Sequence, residues 1–381
     1  MTLVYVVAGE ASGDVLGARL IAALRRLRPD LDFAGIGGAR MAEAGLASLF
    51  PMQELALMGL LEVLPKLRRL RGRLDQAVAD VAARRPGVVV TIDSPGFTLR
   101  LLRRIGPLSI PRAHYVAPQA WAWREGRVRH YPGLWERLLC LLPFEPDFFA
   151  RHGLPARFVG HPVLESGADA GNAARFHAAH GLDGAARPVV LMPGSRRTEI
   201  TRLLPVFAAT LRLLGDNPGL VPVMPLAPGV AADVAAATEA WPVRPVLVSE
   251  IGEKHDAFAA AAAALTKSGT STLELALAGV PMAVAYRVNP LTAAIARRLV
   301  KVRYAALVNL LAGQEVVPEL IQQDCTPGRL AATLRSLLGA GDAASAQRAA
   351  FGPVLASLRP PGGLSPSEAA AGAVLELLEQ A

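Results

Sequence analysis

The chain of 381 residues is 52% hydrophobic and 19% charged, so it can bury a sizeable core, and its length predicts two domains. Its formal net charge of +8 favours polyanionic or phosphorylated partners, without choosing between nucleic acid, anionic lipid headgroups and phosphorylated substrates. Two cysteines exclude a disulfide framework, and the opening MTLVYVVAG lacks the basic region and apolar length of a signal peptide, so we expect a cytoplasmic protein.

Short apolar runs alternate with amphipathic segments along the first half of the chain. Continuous apolar runs are typical of parallel strands that are covered on both faces. Apolar residues near 3.6-residue spacing predict a helix at 14–28. The predicted strands, with their closing turns, are 3–9, 32–38, 87–95, 112–119, 137–144 and 156–162.

A polar stretch rich in Gly and Ala, 164–188, predicts a linker to a second set of the same kind. A strand at 187–194 and a helix at 197–214 open that set. Both halves therefore begin with a strand, a glycine turn and a helix. The predicted fold class is α/β, with doubly wound halves that bind ligands at the carboxyl ends of their strands. Their predicted bounds are 1–165 and 185–349.

Two of the strand-to-helix turns are suited to binding an anion. Gly9 to Asp14 reads G-E-A-S-G-D, and Pro193 to Arg196 reads P-G-S-R. Helix-start amides attract anions, and the Ser195 hydroxyl and Arg196 guanidinium would add to them. Neither turn matches G-x-G-x-x-G or a Walker sequence. A capped turn that binds nothing is the alternative for each, with Asp14 as the N-cap in the first.

Two further strand ends carry polar residues. Ser268 to Glu274, S-G-T-S-T-L-E, is a second phosphate-type loop in the same half, and Glu274 is placed to accept hydrogen bonds from ribose hydroxyls. N-capping with an acidic first turn is the alternative. In the other half, Asp93 ends the strand V-V-V-T-I-D, where a carboxylate can serve as a general base or merely cap the turn.

The segment 59–74 combines a leucine stripe with five cations, which predicts a helix at an anionic membrane surface or an ordinary helix with a basic solvated face. Trp121 and Trp123, near Arg124, Arg127 and Arg129, form either an interfacial patch or part of the core. The histidines show no HxxxH or HExxH pairing, so no metal site is predicted. No RNP or helix-turn-helix signature indicates nucleic-acid binding.

Several segments, taken in order, match one known pattern. The most specific are GEASGD at the start, HYVAPQAWAWR in the middle and NLLAG near the end. The matching segments are 9–24, 54–67, 114–128, 142–149, 158–162, 191–200, 268–287 and 309–320. On these residues the chain resembles the lipid-A-disaccharide synthase family of GT-B glycosyltransferases, almost from end to end.

The resemblance implies two facing Rossmann-like halves, with 350–381 crossing back to complete the first half. It implies a hexosyltransferase of lipid A biosynthesis. The family joins UDP-2,3-diacylglucosamine to 2,3-diacylglucosamine 1-phosphate, giving a β-1,6-linked disaccharide 1-phosphate and UDP. It also implies no metal or other cofactor, no nucleic-acid partner, and peripheral association with the inner face of the inner membrane. A homodimer is left open.

The resemblance further implies the site residues. The donor residues would be Gly194, Ser195, Arg196, Gly269, Thr270, Glu274, Arg287 and Asn309, and the acceptor residues Glu10, Ser12 and Asp14. Asp93 would take the proton of the acceptor 6-hydroxyl in an inverting displacement, and Arg196 would stabilise the departing UDP. The family commonly has I-D-[AS]-P-D-F-N after this strand, whereas this chain has Gly96 and Thr98 in place of an Asp and an Asn. The contribution of that second acid is therefore missing or is supplied by another residue.

Three other functions stay open on the residues alone. Another GT-B enzyme on UDP-sugars, such as an epimerase, would share the nucleotide loops but would not need the basic segment 59–74. An oxidoreductase would need the G-x-G-x-x-G glycines. A non-enzymatic basic protein that binds a membrane or nucleic acid would leave the paired phosphate-type loops without a purpose.

Overall fold

The structure of the protein is a computed structural model that describes residues 2–55, 63–123, 125–215, 219–241, 243–289, 293 and 299–380, without the side chains of 63–67. The chain forms two compact units, Met1–Pro162 with Leu358–Ala381, and Val163–Ser357. Among the described residues, no helix is both long enough and apolar enough to cross a membrane.

The first unit is built on a parallel sheet. Its strands are β1 (Thr2–Ala8), β2 (Leu31–Ile36), β3 (Ala47–Ser48), β4 (Val88–Ile92), β5 (Arg112–Tyr115), β6 (Arg137–Cys140) and β7 (Ala156–Phe158). They lie in the order β3-β2-β1-β4-β5-β6-β7, and every pair is parallel. The direction of winding reverses between β1 and β4. This reversal is a topological switch point, where α/β folds open a crevice for ligands.

Helices cover both faces of the first sheet, and one apolar cluster lies on each face. The helices are α1 (Ala11–Leu27), α2 (Ala39–Glu43), α3 (Val63–Arg84), α4 (Pro95–Ile105), α5 (Ala120–Trp123) and α6 (Glu145–Ala150). The C-terminal helix (Pro366–Glu379) also packs here, against α1. Ser365 and Glu368 form a capping box that fixes where this helix begins.

The second unit repeats the plan with a six-stranded parallel sheet. Its strands are β8 (Arg187–Met192), β9 (Leu220–Pro225), β10 (Val246–Val248), β11 (Ala263–Thr266), β12 (Met282–Tyr286) and β13 (Glu319–Ile321). Their order is β10-β9-β8-β11-β12-β13, so the switch point lies between β8 and β11. The helices are α7 (Ala173–Ala179), α8 (Arg197–Leu214), α9 (Ala231–Thr238), α10 (Ile251–Ala260), α11 (Ser271–Leu277), α12 (Leu307–Ala312), α13 (Pro327–Leu338) and α14 (Ala343–Ser357).

The stretch 164–188, predicted to be a linker, contains α7 and belongs to the second unit. Asp256 on α10 is 4% exposed and accepts hydrogen bonds from the Asn172 backbone N–H at 2.7 Å and from the Arg175 guanidinium at 2.6 Å. These bonds hold the segment on α10, which composition alone does not reveal. The chain returns to the first unit at Leu358, after α14 has ended at Ser357.

Candidate functional site

The loops that follow β1 and β4 meet at the switch point of the first sheet. β1 pairs with β4 in parallel, with Ala8 opposite Ile92. A Cβ at Gly9 would lie 2.5 Å from the Ser94 hydroxyl oxygen, so glycine is required there for the two loops to touch. The G-E-A-S-G-D turn and the Asp93 loop therefore form one surface at the carboxyl ends of these strands.

The backbone at this edge is strained. Asp93 and Ser94 have φ angles of +48° and +45°, and Val116, just after β5, has +76°. A positive φ is unfavourable for any side chain and most so for a β-branched one, and such strain concentrates at functional sites. The Thr98 hydroxyl holds the turn by donating to the Asp93 carbonyl at 2.6 Å and the Ser94 carbonyl at 3.0 Å. Thr98 thus supports the loop from a position where the resembled family has Asn.

The Asp93 carboxyl lies half-buried on this surface. Burial raises its pKa above the usual range, the negative charge of Glu10 raises it further, and the Ser94 backbone N–H lowers it in part. A carboxylate with a raised pKa is a stronger base. The carboxyl that the sequence indicated as a general base therefore has an environment that favours proton acceptance.

The predicted acceptor residues differ in their surroundings. Glu10 occupies the N-cap position of α1, and both it and Ser12 in the first turn are exposed, so their side chains are accessible to a ligand. Asp14 is 5% exposed, and its carboxylate accepts the backbone N–H groups of Gly38 at 2.7 Å, Arg40 at 3.0 Å and Met41 at 3.1 Å. Asp14 therefore caps α2 instead of its own helix. These bonds favour a structural role for Asp14 over a direct contact with the acceptor.

In the second unit, the P-G-S-R turn joins β8 to α8 at the switch point. Gly194 has φ +121°, and a Cβ there would lie 2.2 Å from a carboxylate oxygen of Glu199. Arg196 is the N-cap residue of α8, and its side chain makes no capping bond. Ser195 and Arg196 are both exposed at this helix start. The turn presents a hydroxyl and a guanidinium beside helix-start amides, which suits a diphosphate.

Two charged residues of this site were not predicted from the sequence. Glu199 is 9% exposed; one carboxylate oxygen accepts the Ser195 backbone N–H at 3.1 Å, and the other lies 3.0 Å from the Lys267 ammonium. The Lys267 backbone N–H donates to the Met192 carbonyl at 2.9 Å. Lys267 therefore connects the loops after β8 and β11. The available signal was its place directly before the S-G-T loop.

The loop after β11 keeps its shape through its own hydroxyls. Gly269 has φ +150°, the Thr272 hydroxyl donates to the Gly269 carbonyl at 2.8 Å, and the Ser268 hydroxyl donates to the Ala305 carbonyl at 2.6 Å. Thr270, at the N-cap position of α11, is exposed. This loop thus lies beside the P-G-S-R turn across the switch point, since β8 and β11 are adjacent.

Two further predicted donor residues, Glu274 and Arg287, have different surroundings. Glu274 is half-buried, and its carboxylate forms an ion pair with Lys254 at 2.8 Å. Arg287 is exposed just after β12.

Asn309 is fully buried. Its amide donates to the Val317 carbonyl and the Glu319 carboxylate, both at 2.8 Å, while its oxygen accepts the N–H groups of Val316 and Val317 at 2.8 and 2.9 Å. All of its hydrogen-bonding capacity is used within the protein, which favours a scaffold role for Asn309 over a hydrogen bond to the donor.

The predicted membrane-facing features lie partly outside the described residues. Residues 56–62 and Arg124 are not described, and the described part of the segment 59–74 begins α3. Trp121 is half-buried, its indole N–H donates to the Glu145 carboxylate at 3.0 Å, and its ring meets Phe144 edge-on. Trp123 is 39% exposed. The packing interpretation therefore fits Trp121, whereas Trp123 is the more exposed of the two.

Comparison of the structure with solved structures places it among GT-B proteins. The UDP-GlcNAc 2-epimerase from Neisseria meningitidis, solved bound to UDP-GlcNAc, is similar with a TM-score of 0.66 at 12% identity, and all of both chains is covered. The calicheamicin glycosyltransferase CalG4 is similar with a TM-score of 0.60 at 14% identity, covering 100% of this chain and 99% of that one. Likeness at these identities shows the fold class, which is the one predicted.

Comparison of sequences identifies the family. The model described as Lipid-A-disaccharide synthetase matches residues 4–361. The lipid-A-disaccharide synthase of Granulibacter bethesdensis is 61% identical over 391 residues, covering 99% of each chain. That of Gluconobacter oxydans is 58% identical over 379 residues, covering 99% of this chain and 91% of the relative. These matches show that the chain belongs to the lipid-A-disaccharide synthase family, glycosyltransferases of lipid A biosynthesis.

Proposed function

We propose that this chain transfers 2,3-diacylglucosamine from its UDP derivative to 2,3-diacylglucosamine 1-phosphate by a single inverting displacement, with Asp93 as the general base. The assignment of the base rests on the surroundings of the Asp93 carboxyl. It lies half-buried on a strained turn at a switch point, with its pKa raised by burial and by Glu10. Backbone strain of this kind concentrates at functional sites, which favours a functional role for this carboxyl.

In this proposal the Asp93 carboxylate accepts the proton of the acceptor 6-hydroxyl as that oxygen attacks the anomeric carbon of the donor. The bond from the anomeric carbon to the diphosphate breaks in the same step, and UDP leaves. A base that holds the hydroxyl in place contributes orientation as well as proton transfer. Ser12 and Glu10, exposed on the same loop surface, are the proposed polar contacts of the acceptor sugar.

The second unit would bind the donor. Amides at the start of α8, the Ser195 hydroxyl and the Arg196 guanidinium would stabilise the negative charge that grows on the diphosphate. We add Lys267, because its ammonium connects the two phosphate-type loops, 3.0 Å from Glu199. Gly269 and Thr270 would complete the loop around the phosphates. Glu274 would accept from the ribose, and Arg287 would be a further cation.

We also propose that the protein works at the inner face of the inner membrane as a peripheral protein. Both proposed substrates carry acyl chains, so they reside in a lipid surface. The formal net charge of +8 favours contact with anionic headgroups.

The test is incubation of the purified protein with both acylated sugars, with mass detection of the disaccharide 1-phosphate. Asp93→Asn keeps the shape of the side chain and removes the base, so we expect a loss of kcat of about 100-fold or more. Asp30→Asn is the matched control, because Asp30 is exposed, pairs with Arg28 and lies in the same unit. Near-wild-type turnover by a folded Asp93→Asn protein would refute the assignment of Asp93 as the general base.

Two further arms separate the alternatives. A reaction without the acceptor tests for a UDP-sugar epimerase, which would convert the donor by itself. A reaction with EDTA tests the expected independence from metal ions: full activity is expected, and loss of activity restored by a divalent cation would contradict it.

A further inference from the structure

A groove of about 450 Å³ runs between α3 and α4 in the first unit. This volume falls in the range of small-molecule sites, about 300–1,000 Å³. Its apolar lining is formed by Leu70 and Leu74, one turn apart on α3, and by Phe97 on α4. These three side chains are 4–9% exposed and belong to the core, so the groove has a fixed apolar floor.

The rim of the groove is basic. Arg71 on α3 and Arg100 and Arg104 on α4 line it, against one carboxylate, Asp75. Arg104 forms an ion pair with Asp75 across the groove. Arg71 and Arg100 are exposed and make no hydrogen bond or ion pair with any residue that the structure describes. Two guanidinium groups are therefore left to bind an anion, and guanidinium pairs phosphate with two parallel hydrogen bonds.

The order of these residues along the helices places the two guanidinium groups toward the Asp93 loop. Helices that connect parallel strands run opposite to the strands, so α3 and α4 both begin at the carboxyl edge of the sheet. Arg71 stands one turn before Asp75, and Arg100 one turn before Arg104. Because Asp75 and Arg104 are paired, Arg71 and Arg100 oppose each other one turn nearer that edge. Asp93 lies two residues before α4 begins.

Gly96 keeps this end of the groove open. It lines the groove at the second position of α4, and a Cβ built there meets no atom within 4 Å. Gly96, Arg100 and Arg104 follow each other at four-residue spacing, so they share one face of α4. At the position where the resembled family commonly has an Asp, this chain therefore has no negative charge facing Arg100.

We propose that the groove between α3 and α4 binds the acceptor through its phosphate monoester, held by Arg71 and Arg100, with an acyl chain against Leu70, Leu74 and Phe97. This rests on the proposed function for the identity of the acceptor. An amphiphile with one phosphate and aliphatic chains matches a groove with two unpaired guanidinium groups above an apolar floor. Bound there, the sugar lies next to the loop that carries the general base.

The test measures equilibrium binding of 2,3-diacylglucosamine 1-phosphate, in neutral detergent micelles and without donor, to the full chain and to Arg71→Gln/Arg100→Gln. We expect the double variant to bind it about tenfold or more weakly, as for loss of charged hydrogen bonds. Binding of 2,3-diacylglucosamine without the phosphate should change less than about twofold. Arg103→Gln on the same helix is the control, because Arg103 does not line the groove and donates to the His130 carbonyl.

A second variant tests the groove without removing a side chain. Gly96→Asp has room for its carboxylate, which would sit one turn before Arg100 and compete with the phosphate. We expect it to raise the acceptor KM severalfold and to leave the donor KM unchanged. Unchanged acceptor binding in the double variant would overturn the proposal, as would an unchanged acceptor KM in Gly96→Asp or an equal loss in Arg103→Gln.

The outcomes separate this proposal from the proposed function. If the wild-type protein makes the disaccharide and the double variant keeps the acceptor KM, the groove proposal is wrong and the function stands. If the wild-type protein makes no product while the acceptor binds in an arginine-dependent way, the groove proposal stands and the function is wrong.

Discussion

Substitution of Asn309 distinguishes a ligand contact from a scaffold role. The side chain is fully buried in the second unit and makes four hydrogen bonds of 2.8–2.9 Å to residues 316, 317 and 319. Asn309→Ala removes all four. The Glu319 carboxylate keeps its bonds from the N–H groups of Ala305 and Ala306, so it is not left unpaired. The groups that lose their partner are the two N–H groups of Val316 and Val317 and the carbonyl of Val317.

An unpaired buried polar group costs about 1–3 kcal/mol. Val317 is buried, whereas Val316 is half-buried and water can reach its N–H, so we expect a total loss of about 3–5 kcal/mol. For a unit of this size, 1 kcal/mol corresponds to roughly 2–4 °C, which predicts a fall in the melting temperature of the second unit of roughly 10 °C. Asn172→Ala is the matched control, because the Asn172 side chain caps α7 through a single bond of 2.9 Å to the Arg175 N–H. That change should cost about 1 kcal/mol.

The assay combines calorimetric melting with UDP binding measured well below the melting transition. We expect Asn309→Ala to be much less stable than Asn172→Ala and to retain UDP affinity within about twofold at low temperature. A variant that melts like the wild type but binds UDP tenfold more weakly would refute the scaffold role and support Asn309 as a donor contact.

Two further predictions concern pH. Asp93 must be ionised to act as a base, and the charge of Glu10 raises its pKa. Glu10→Gln should therefore move the acid limb of the kcat–pH profile to lower pH. An acid limb that does not move would show that the titration of Asp93 does not limit turnover. Burial raises the pKa of Glu145 from 4.5 to about 7, although the N–H groups of Leu142, Trp121 and Leu141 oppose the shift. The native state therefore keeps a proton that the unfolded chain loses between those values, so stability should fall as pH rises through that window. Urea unfolding at several pH values checks this, and an identical pH dependence in Glu145→Gln would contradict it.

The strand-loop-helix units could be predicted from the sequence because their signals are local. The helix at 197–214 was predicted with the bounds that the structure gives it, since apolar periodicity and a preceding glycine turn both mark it. The strands of the first sheet were predicted at nearly the observed positions, apart from the two-residue β3. Valine-rich runs buried on both faces identify parallel strands without any knowledge of their neighbours.

Contacts between distant parts of the chain were not predictable in the same way. The carboxylate of Asp14 accepts a hydrogen bond from the N–H of Gly38 at the start of α2, and Gly38 lies 24 residues further along the chain. Lys267 pairs with Glu199 across two loops whose adjacency depends on the pairing of β8 with β11. The segment 164–188 looks like a linker by composition, yet Asp256 fixes it to α10. In each case the deciding partner comes from a remote part of the sequence.

The predicted site residues fall into two groups, those whose side chains are already hydrogen-bonded within the protein and those that are still free to bond a ligand. Asp14 and Asn309 lie in segments that match the family as specifically as the segments of the other predicted site residues. Their side-chain oxygens, however, already accept hydrogen bonds from backbone N–H groups of the protein. Glu10, Ser12 and Arg196 are exposed at helix starts, with no capping bond made by Glu10 or Arg196. A polar residue that the fold has saturated can be removed only at a cost in stability, whereas an unsaturated one at a switch point can gain its partners from a ligand. Among the predicted site residues, we therefore expect the exposed ones to contact a ligand and the saturated ones to support the fold.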